Sequence, residues 1–119
     1  MTDPRPTVRS PFPKEARLRL DRDFAPVRTR GRRHAGAETM IRTLANGLER
    51  ARLGVSTPKR YGNAVRRNRF RRVVRAAFRS MTPVLPPRDI LVEPRAGLVE
   101  PTLAGIAADL LAAAGKASP

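Results

Sequence analysis

Between Tyr61 and Arg79 the chain reads YGNAVRRNRFRRVVRAAFR, seven arginines in nineteen residues with no lysine, acid or histidine among them. Guanidinium groups at this density suit one kind of chemistry. Each is a planar, permanently charged fork of donors that grips phosphate oxygens in pairs and stacks on flat rings. A helix carrying so many of them repels itself, so the stretch calls for an anionic surface against it. The whole chain agrees. Its 119 residues hold 25 Lys+Arg against 10 Asp+Glu, a net charge of +15, and only Lys14, Lys59 and Lys116 are lysines. The charge is also lopsided: residues 1–79 carry +16 and residues 80–119 carry −1. A field focused on one part of a small body captures polyanions and weakens with salt. Nucleic acid is therefore the first candidate partner and an anionic membrane a distant second.

Other chemistry is thinly provided. The single histidine, His34, makes neither a zinc site nor a catalytic triad by itself. The absence of cysteine excludes disulfides and thiolate metal sites. The ten acids are scattered, with no cluster of the two-metal nuclease type. Asp89 and Glu93, four apart on one side of a strand, read as edge or helix-facing charges rather than metal ligands. There is no glycine-rich phosphate loop. No catalytic residue and no metal ligand are assigned to the protein. The N-terminus, MTDPRPTVRSPFPK, lacks the apolar run of a signal peptide, and no segment approaches the ~20 apolar residues of a membrane span, so a cytoplasmic location is expected.

The elements that must position the arginines follow from periodicity and breakers. Residues 1–14, with four prolines, read as a flexible leader, 15–115 as one folded domain and 116–119 as a disordered tail. DRDFAPVRTR, Asp21 to Arg30, reads as a short helix stopped by Gly31, with Pro26 inside it. If Asp23 caps, Pro26 falls at the third helical position, where its missing donor costs nothing; if Asp21 caps instead, one internal hydrogen bond is lost and the helix bends. Glu38–Leu44 and Arg52–Thr57 are strand candidates, and Asn46-Gly47 between them signals an antiparallel hairpin. Asn63 is placed to cap a helix running to about Ser80, which Pro83, Pro86 and Pro87 prevent from continuing. Along it Phe70, Val73, Val74, Ala77 and Phe78 form one buried stripe, while Asn68, Arg71, Arg72, Arg75 and Arg79 lie on the other side. DILVEP, Asp89–Pro94, reads as a buried strand, and Glu100–Ala114 as an alanine-rich, nearly uncharged helix that covers the sheet. The class is α+β, a sheet under helices.

At this point GNAVRRNRFRRVVRAAFR resembles the arginine-asparagine-arginine signature of the protein subunit of bacterial ribonuclease P. The likeness extends outward: RLRLDRDFAPVRTRGRR is similar to that family's opening helix with its R-D-F, LGVSTPKRYGNAV to its second hairpin arm, and RDILVEPRAG to its late strand. About 80 residues, Arg17 to Gly97, are covered in order. The resemblance implies a single α/β sandwich in the order αβββαβα with a left-handed βαβ crossover. It implies an accessory role in the endonuclease that removes the 5′ leader from precursor tRNA, the hydrolysis being carried out by a catalytic RNA with Mg²⁺, bound mainly by that RNA. The partners it implies are the ribonuclease P RNA and precursor tRNA, with neither DNA nor membrane. Carried over by residue, Arg66, Arg67, Asn68, Arg69, Arg71, Arg72 and Arg75 meet the catalytic RNA, and Phe24, Arg28, Arg42, Lys59 and Arg60 line a cleft for the single-stranded leader. Arg28 and Arg42 stand where family members commonly carry aromatics, which shifts leader binding from ring stacking toward guanidinium stacking and phosphate contact. The alternative readings are a general basic RNA-binding protein of ribosomal or chaperone type, and a protein-only nuclease, against which the missing acid cluster argues.

Overall fold

The structure, a computed structural model, describes residues 16–18 and 21–115. The expected leader, 1–14, and tail, 116–119, lie outside the described residues. In chain order the elements are α1 (Asp21–Arg30), β1 (Arg32–Ala35), β2 (Thr39–Ala45), β3 (Arg52–Val55), α2 (Ala64–Met81), β4 (Arg88–Pro94) and α3 (Leu103–Leu110), the last continued by a wide turn over Leu111–Gly115. This is the expected order αβββαβα. The strands form one sheet in the spatial order β1-β2-β4-β3, with β4 antiparallel to β2 and parallel to β3.

Strand β4 is the keel of the molecule, and its composition explains why. Ile90, Leu91 and Val92 are all fully buried, which a strand achieves only with both faces covered. Ile90 and Val92 join Ile41, Leu53, Phe70, Val74, Phe78, Ile106 and Leu110 in a core between the sheet and helices α2 and α3. Leu91 points the other way and meets Leu18, Val27, Phe24 and Leu44 beneath α1. Burying a side chain the size of Phe70 or Phe78 is worth roughly 1.5–3 kcal/mol each, so the α2 stripe read from periodicity is what clamps the arginine helix to the sheet. Asn63 caps that helix as expected: its Oδ1 accepts the Arg66 N–H at 3.0 Å.

The hairpin expected between Glu38–Leu44 and Arg52–Thr57 does not form. Strand β4 lies between β2 and β3, and Asn46-Gly47 turns the chain across that gap rather than back on itself. Gly47 does take a positive φ of 69°, but the Asn46 side chain is spent on the crossing loop. Its Oδ1 accepts the Leu48 N–H at 2.8 Å, and its Nδ2 donates to the Arg50 carbonyl at 3.1 Å and to Asp89 Oδ1 at 3.0 Å. The hairpin that forms joins β1 to β2, with Arg32 opposite Thr43 and Ala35 opposite Met40. Strand β1, RRHA, escapes a search for alternating hydrophobics because it is a mostly exposed edge, where charge discourages pairing with another sheet.

The turn of that hairpin is tied to α3 at two points. Asp109, buried on α3, accepts the N–H groups of Ala37, Glu38 and Thr39 and the Thr39 hydroxyl. Glu38 in return accepts the N–H and hydroxyl of Thr102, the cap of α3, at 2.8 and 2.6 Å. The helix therefore begins after Thr102 rather than at Glu100. At the other end of the chain α1 begins at Asp21, so Asp23 is not its cap and Pro26 falls in its second turn. Asp21 is itself helical rather than the cap, so the helix starts before either expected cap would allow, and Pro26 forfeits an internal hydrogen bond. Among the described residues no helix is long and apolar enough to cross a membrane.

Candidate nucleic-acid interface

Seen from its exposed side, α2 is a ladder of guanidinium groups with different degrees of commitment. Arg66 is fixed most firmly. Its Nη2 donates to the carbonyls of Leu98 and Val99 at 2.9 and 3.2 Å, and its Cζ lies 4.6 Å from the Tyr61 ring centroid. Gly62 makes this pose possible, since a β-carbon there would stand 2.8 Å from Arg66 Cδ. Arg67 is half-buried, and its Nε is enclosed without a hydrogen-bond partner. Arg69 pairs with Glu100, both side chains being more than half exposed, so the pair is worth at most ~1 kcal/mol and yields readily to phosphate. Asn68 is exposed, and its Oδ1 accepts a long hydrogen bond from Arg71 at 3.4 Å.

Farther along, Arg72 and Arg75 are exposed. The Arg75 guanidinium is held below its usual pKa range, first by partial desolvation and then by repulsion from Arg17, Arg71 and Arg79. It remains charged at any physiological pH. Partial burial and neighbouring guanidinium groups thus act together on Arg75, and an anion placed beside it would oppose both.

Between α1 and α2, over the edge strand β3, runs a groove lined by Phe24, Ala25, Arg28, Val55, Ser56, Thr57 and Arg71. Phe24 is half-buried and lies over Gly54, where a β-carbon would stand only 2.6 Å from the ring. Arg28 sits above the same ring, 5.7 Å from its centroid. Thr57 contributes a buried hydroxyl with no hydrogen-bond partner. The groove thus offers an aromatic surface with a guanidinium from each flanking helix, a pairing suited to an unpaired base and its phosphates.

The residues assigned to a leader cleft from sequence are not all brought together. Phe24 and Arg28 share this groove. Arg42 lies on the same sheet face but on β2, separated from β3 by β4, and pairs with Glu93 at 3.7 Å. Lys59 and Arg60 stand in the single turn Lys59–Tyr61 after β3, and Arg60 lines a different cavity, with Tyr61, Arg66 and Arg95. Arg71, assigned to the other interface, belongs to the groove as well. Gly54 and Thr57 were missed, because their contribution is space and an unsatisfied hydroxyl, neither of which shows in residue type.

Among the described residues, Asp89, Glu93 and Asp109 are occupied otherwise than as metal ligands. Asp89 receives two hydrogen bonds from Arg52, each 2.8 Å, and one from Asn46, an arrangement that pushes the Arg52 guanidinium pKa upward, chiefly through the hydrogen bond to Asp89. Glu93 is paired with Arg42, and Asp109 is filled by backbone donors. Among the described residues no three acidic, histidine or cysteine groups converge on a point. The oxygens of Asp89, Glu93 and Asp109 are engaged by arginine or backbone donors and do not fit the near-octahedral needs of Mg²⁺.

A small α+β sandwich that presents a clamped arginine helix beside an aromatic-floored groove has the build of an RNA-binding subunit. Comparison with known proteins makes this specific. The sequence profile of the ribonuclease P family matches residues 12–118. The chain is 36% identical to the ribonuclease P protein component of Chlamydia muridarum over 101 residues, 84% of each chain, and 38% identical to that of Thermotoga petrophila over 90 residues, 75% of this chain and 77% of the relative. Its fold is similar to the solved RNase P protein of Thermotoga maritima, with TM-score 0.75, 30% identity and coverage of 87% of this chain and 98% of that one. It also matches the Staphylococcus aureus RNase P protein at TM-score 0.72 and 28% identity, over 82% and 91% of the two chains. The chain belongs to the ribonuclease P protein family.

Proposed function

We propose that this chain is the protein subunit of a ribonucleoprotein endonuclease that removes the 5′ leader from precursor tRNA, the chemistry residing in an RNA partner. The observation that carries the reading is the sharing of Arg71: it stands on the arginine face of α2 and lines the groove over Phe24 at once. A strand lying in that groove is delivered directly against whatever large RNA covers α2. In this reading Arg67, Arg69, Arg72 and Arg75 hold the catalytic RNA by its phosphates, Asn68 offers a donor and an acceptor to a base edge, and Arg66 shapes the surface by fixing the 95–99 turn. Phe24 stacks a leader base, with Arg28 and Arg71 on the flanking phosphates. Lys59, Arg60 and Arg42 add charge at the margins. Lowering phosphate repulsion reduces the Mg²⁺ that the RNA needs to fold and cleave, and the ions themselves are bound by RNA oxygens. A cytoplasmic setting, where precursor tRNA is made, completes the proposal.

The test is reconstitution of precursor tRNA cleavage at low Mg²⁺ with a bacterial ribonuclease P RNA, with and without the protein. Cleavage at the mature 5′ end that requires the RNA and is strongly raised by the protein supports the reading. No stimulation, together with equally tight binding to unrelated RNAs, moves it to a general RNA-binding protein. Cutting by the protein alone overturns it in favour of a protein nuclease.

A further inference from the structure

Apart from the groove over Phe24, a second concavity opens at the head of α2. It is a cavity of about 310 Å³ formed by the turn at Lys59–Tyr61 and the 94–99 segment. Arg60, Arg66 and Arg95 contribute to its lining with Tyr61 and the 96–99 turn, and among the described residues no acid joins them. The cavity is built rather than incidental. Arg66 bridges the carbonyls of Leu98 and Val99 while stacking on Tyr61. Arg95 donates to the Gly36 carbonyl at 2.9 Å, and Leu98 N–H closes the turn onto the Arg95 carbonyl at 3.0 Å. Gly97, at φ 86°, gives that turn its left-handed corner. Tyr61 is in turn backed by Phe70, edge-on at 5.6 Å between centroids. Arg60, by contrast, is an exposed member of the lining.

We propose that this cavity binds one nucleotide: a flat base against the Tyr61 and Arg66 wall and the apolar turn, with its phosphate held by Arg60 and Arg95. The size is at the lower end of the ~300–1,000 Å³ typical of small-ligand sites. A lining of guanidinium, one aromatic ring and small apolar groups, without a carboxylate among the described residues, matches an anion joined to a planar ring. Two sources supply this chemistry, a nucleotide turned out of a bound RNA or a free mononucleotide. The site stands on its own geometry and does not depend on which RNA the α2 face binds.

The experiment is titration of AMP, GMP, CMP and UMP, each alone, into the full chain, followed by amide NMR shifts, with uridine and inorganic phosphate as controls. Shifts at Tyr61, Arg66, Gly97 and Leu98 are expected for nucleotides, at least tenfold weaker binding for uridine or phosphate, and loss of at least tenfold in affinity in Arg60→Ala. Ala96→Trp, at an exposed rim position, is expected to abolish binding by filling the cavity while leaving the spectrum of the sheet unchanged, which separates occupancy from misfolding. Shifts confined to the exposed face of α2, or equal binding by all variants, overturn the proposal. Addition of ribonuclease P RNA to the nucleotide-bound protein then separates the sources: displacement identifies an RNA nucleotide, and retention identifies a free one. Failure of cleavage stimulation with intact nucleotide binding sinks the functional reading alone.

Discussion

Asp109 on α3 and Thr39 at the start of β2, 70 positions apart, meet through two hydrogen bonds to the same oxygen, Oδ2, one from the Thr39 N–H at 3.0 Å and one from its hydroxyl at 2.8 Å. The other oxygen takes the Ala37 N–H, so a buried carboxylate replaces water for an entire hairpin turn. Asp109→Ala leaves three backbone donors and a hydroxyl without a partner. We expect a loss of about 2–4 kcal/mol in urea unfolding, with Asp109→Asn recovering part of it. A loss under 1 kcal/mol would show that water substitutes freely.

Phe24 and Gly54 give a second test. A methyl group at position 54 collides with the ring, so Gly54→Ala displaces Phe24 from its seat without touching any charge. The preference for leader-bearing over leaderless tRNA should fall roughly 5- to 30-fold, the value of about 1–2 kcal/mol of base stacking. Phe24→Ala should do the same. An unchanged preference in both variants would reduce Phe24 to packing.

Salt dependence distinguishes phosphate grip from shape. Arg72 is exposed on α2, away from the core stripe. Arg72→Ala should weaken RNA binding and lower the slope of log K against log salt by about 0.7–0.9, one phosphate contact. Arg67→Ala with Arg69→Ala should cut cleavage stimulation well beyond Arg5→Ala with Arg9→Ala. Equal harm from the two pairs would mean that overall charge suffices.

The bidentate pair of Arg52 and Asp89 lies largely buried beside Asp23 and Asn46. Asp89→Ala removes both short hydrogen bonds of Arg52 and one of those made by Asn46, leaving Arg52 only the longer contact to Asp23, and we expect a cost of about 2–4 kcal/mol together with faster amide exchange in residues 46–51. The double change Asp89→Leu with Arg52→Met should recover most of the stability. No recovery would indicate that the charges themselves, rather than satisfied partners, are required.

What was legible beforehand has a physical pattern. Elements that carry their own instructions were read correctly: the Asn63 cap with the Phe70 to Phe78 stripe, and the doubly buried Ile90-Leu91-Val92. Pairing was not, because Asn46-Gly47 reports only that the chain turns, and which strand fills the space beside β2 depends on residues 43 positions further on, where Asp89 takes the Asn46 amide. Strand β1 is held by its partner rather than by its sequence. On α2, the arginines and their exposed face were legible from residue type and spacing. The division of Arg60 from Phe24, and the room left by Gly54 and Gly62, are three-dimensional facts with no one-dimensional trace.

The late insertion of β4 between two strands made before it also orders events during synthesis. Until residues 88–94 leave the ribosome, β2 and β3 have no common neighbour, and Phe70 and Phe78 have no floor. The growing chain therefore presents the full charge of α2 as an unshaped polycation, beside the ribosome's own RNA, and gains its selectivity only when the last strand arrives. A nascent chain halted at Met81 should be protease-sensitive and bind RNA without discrimination, and one extended past Leu110 should resist proteolysis.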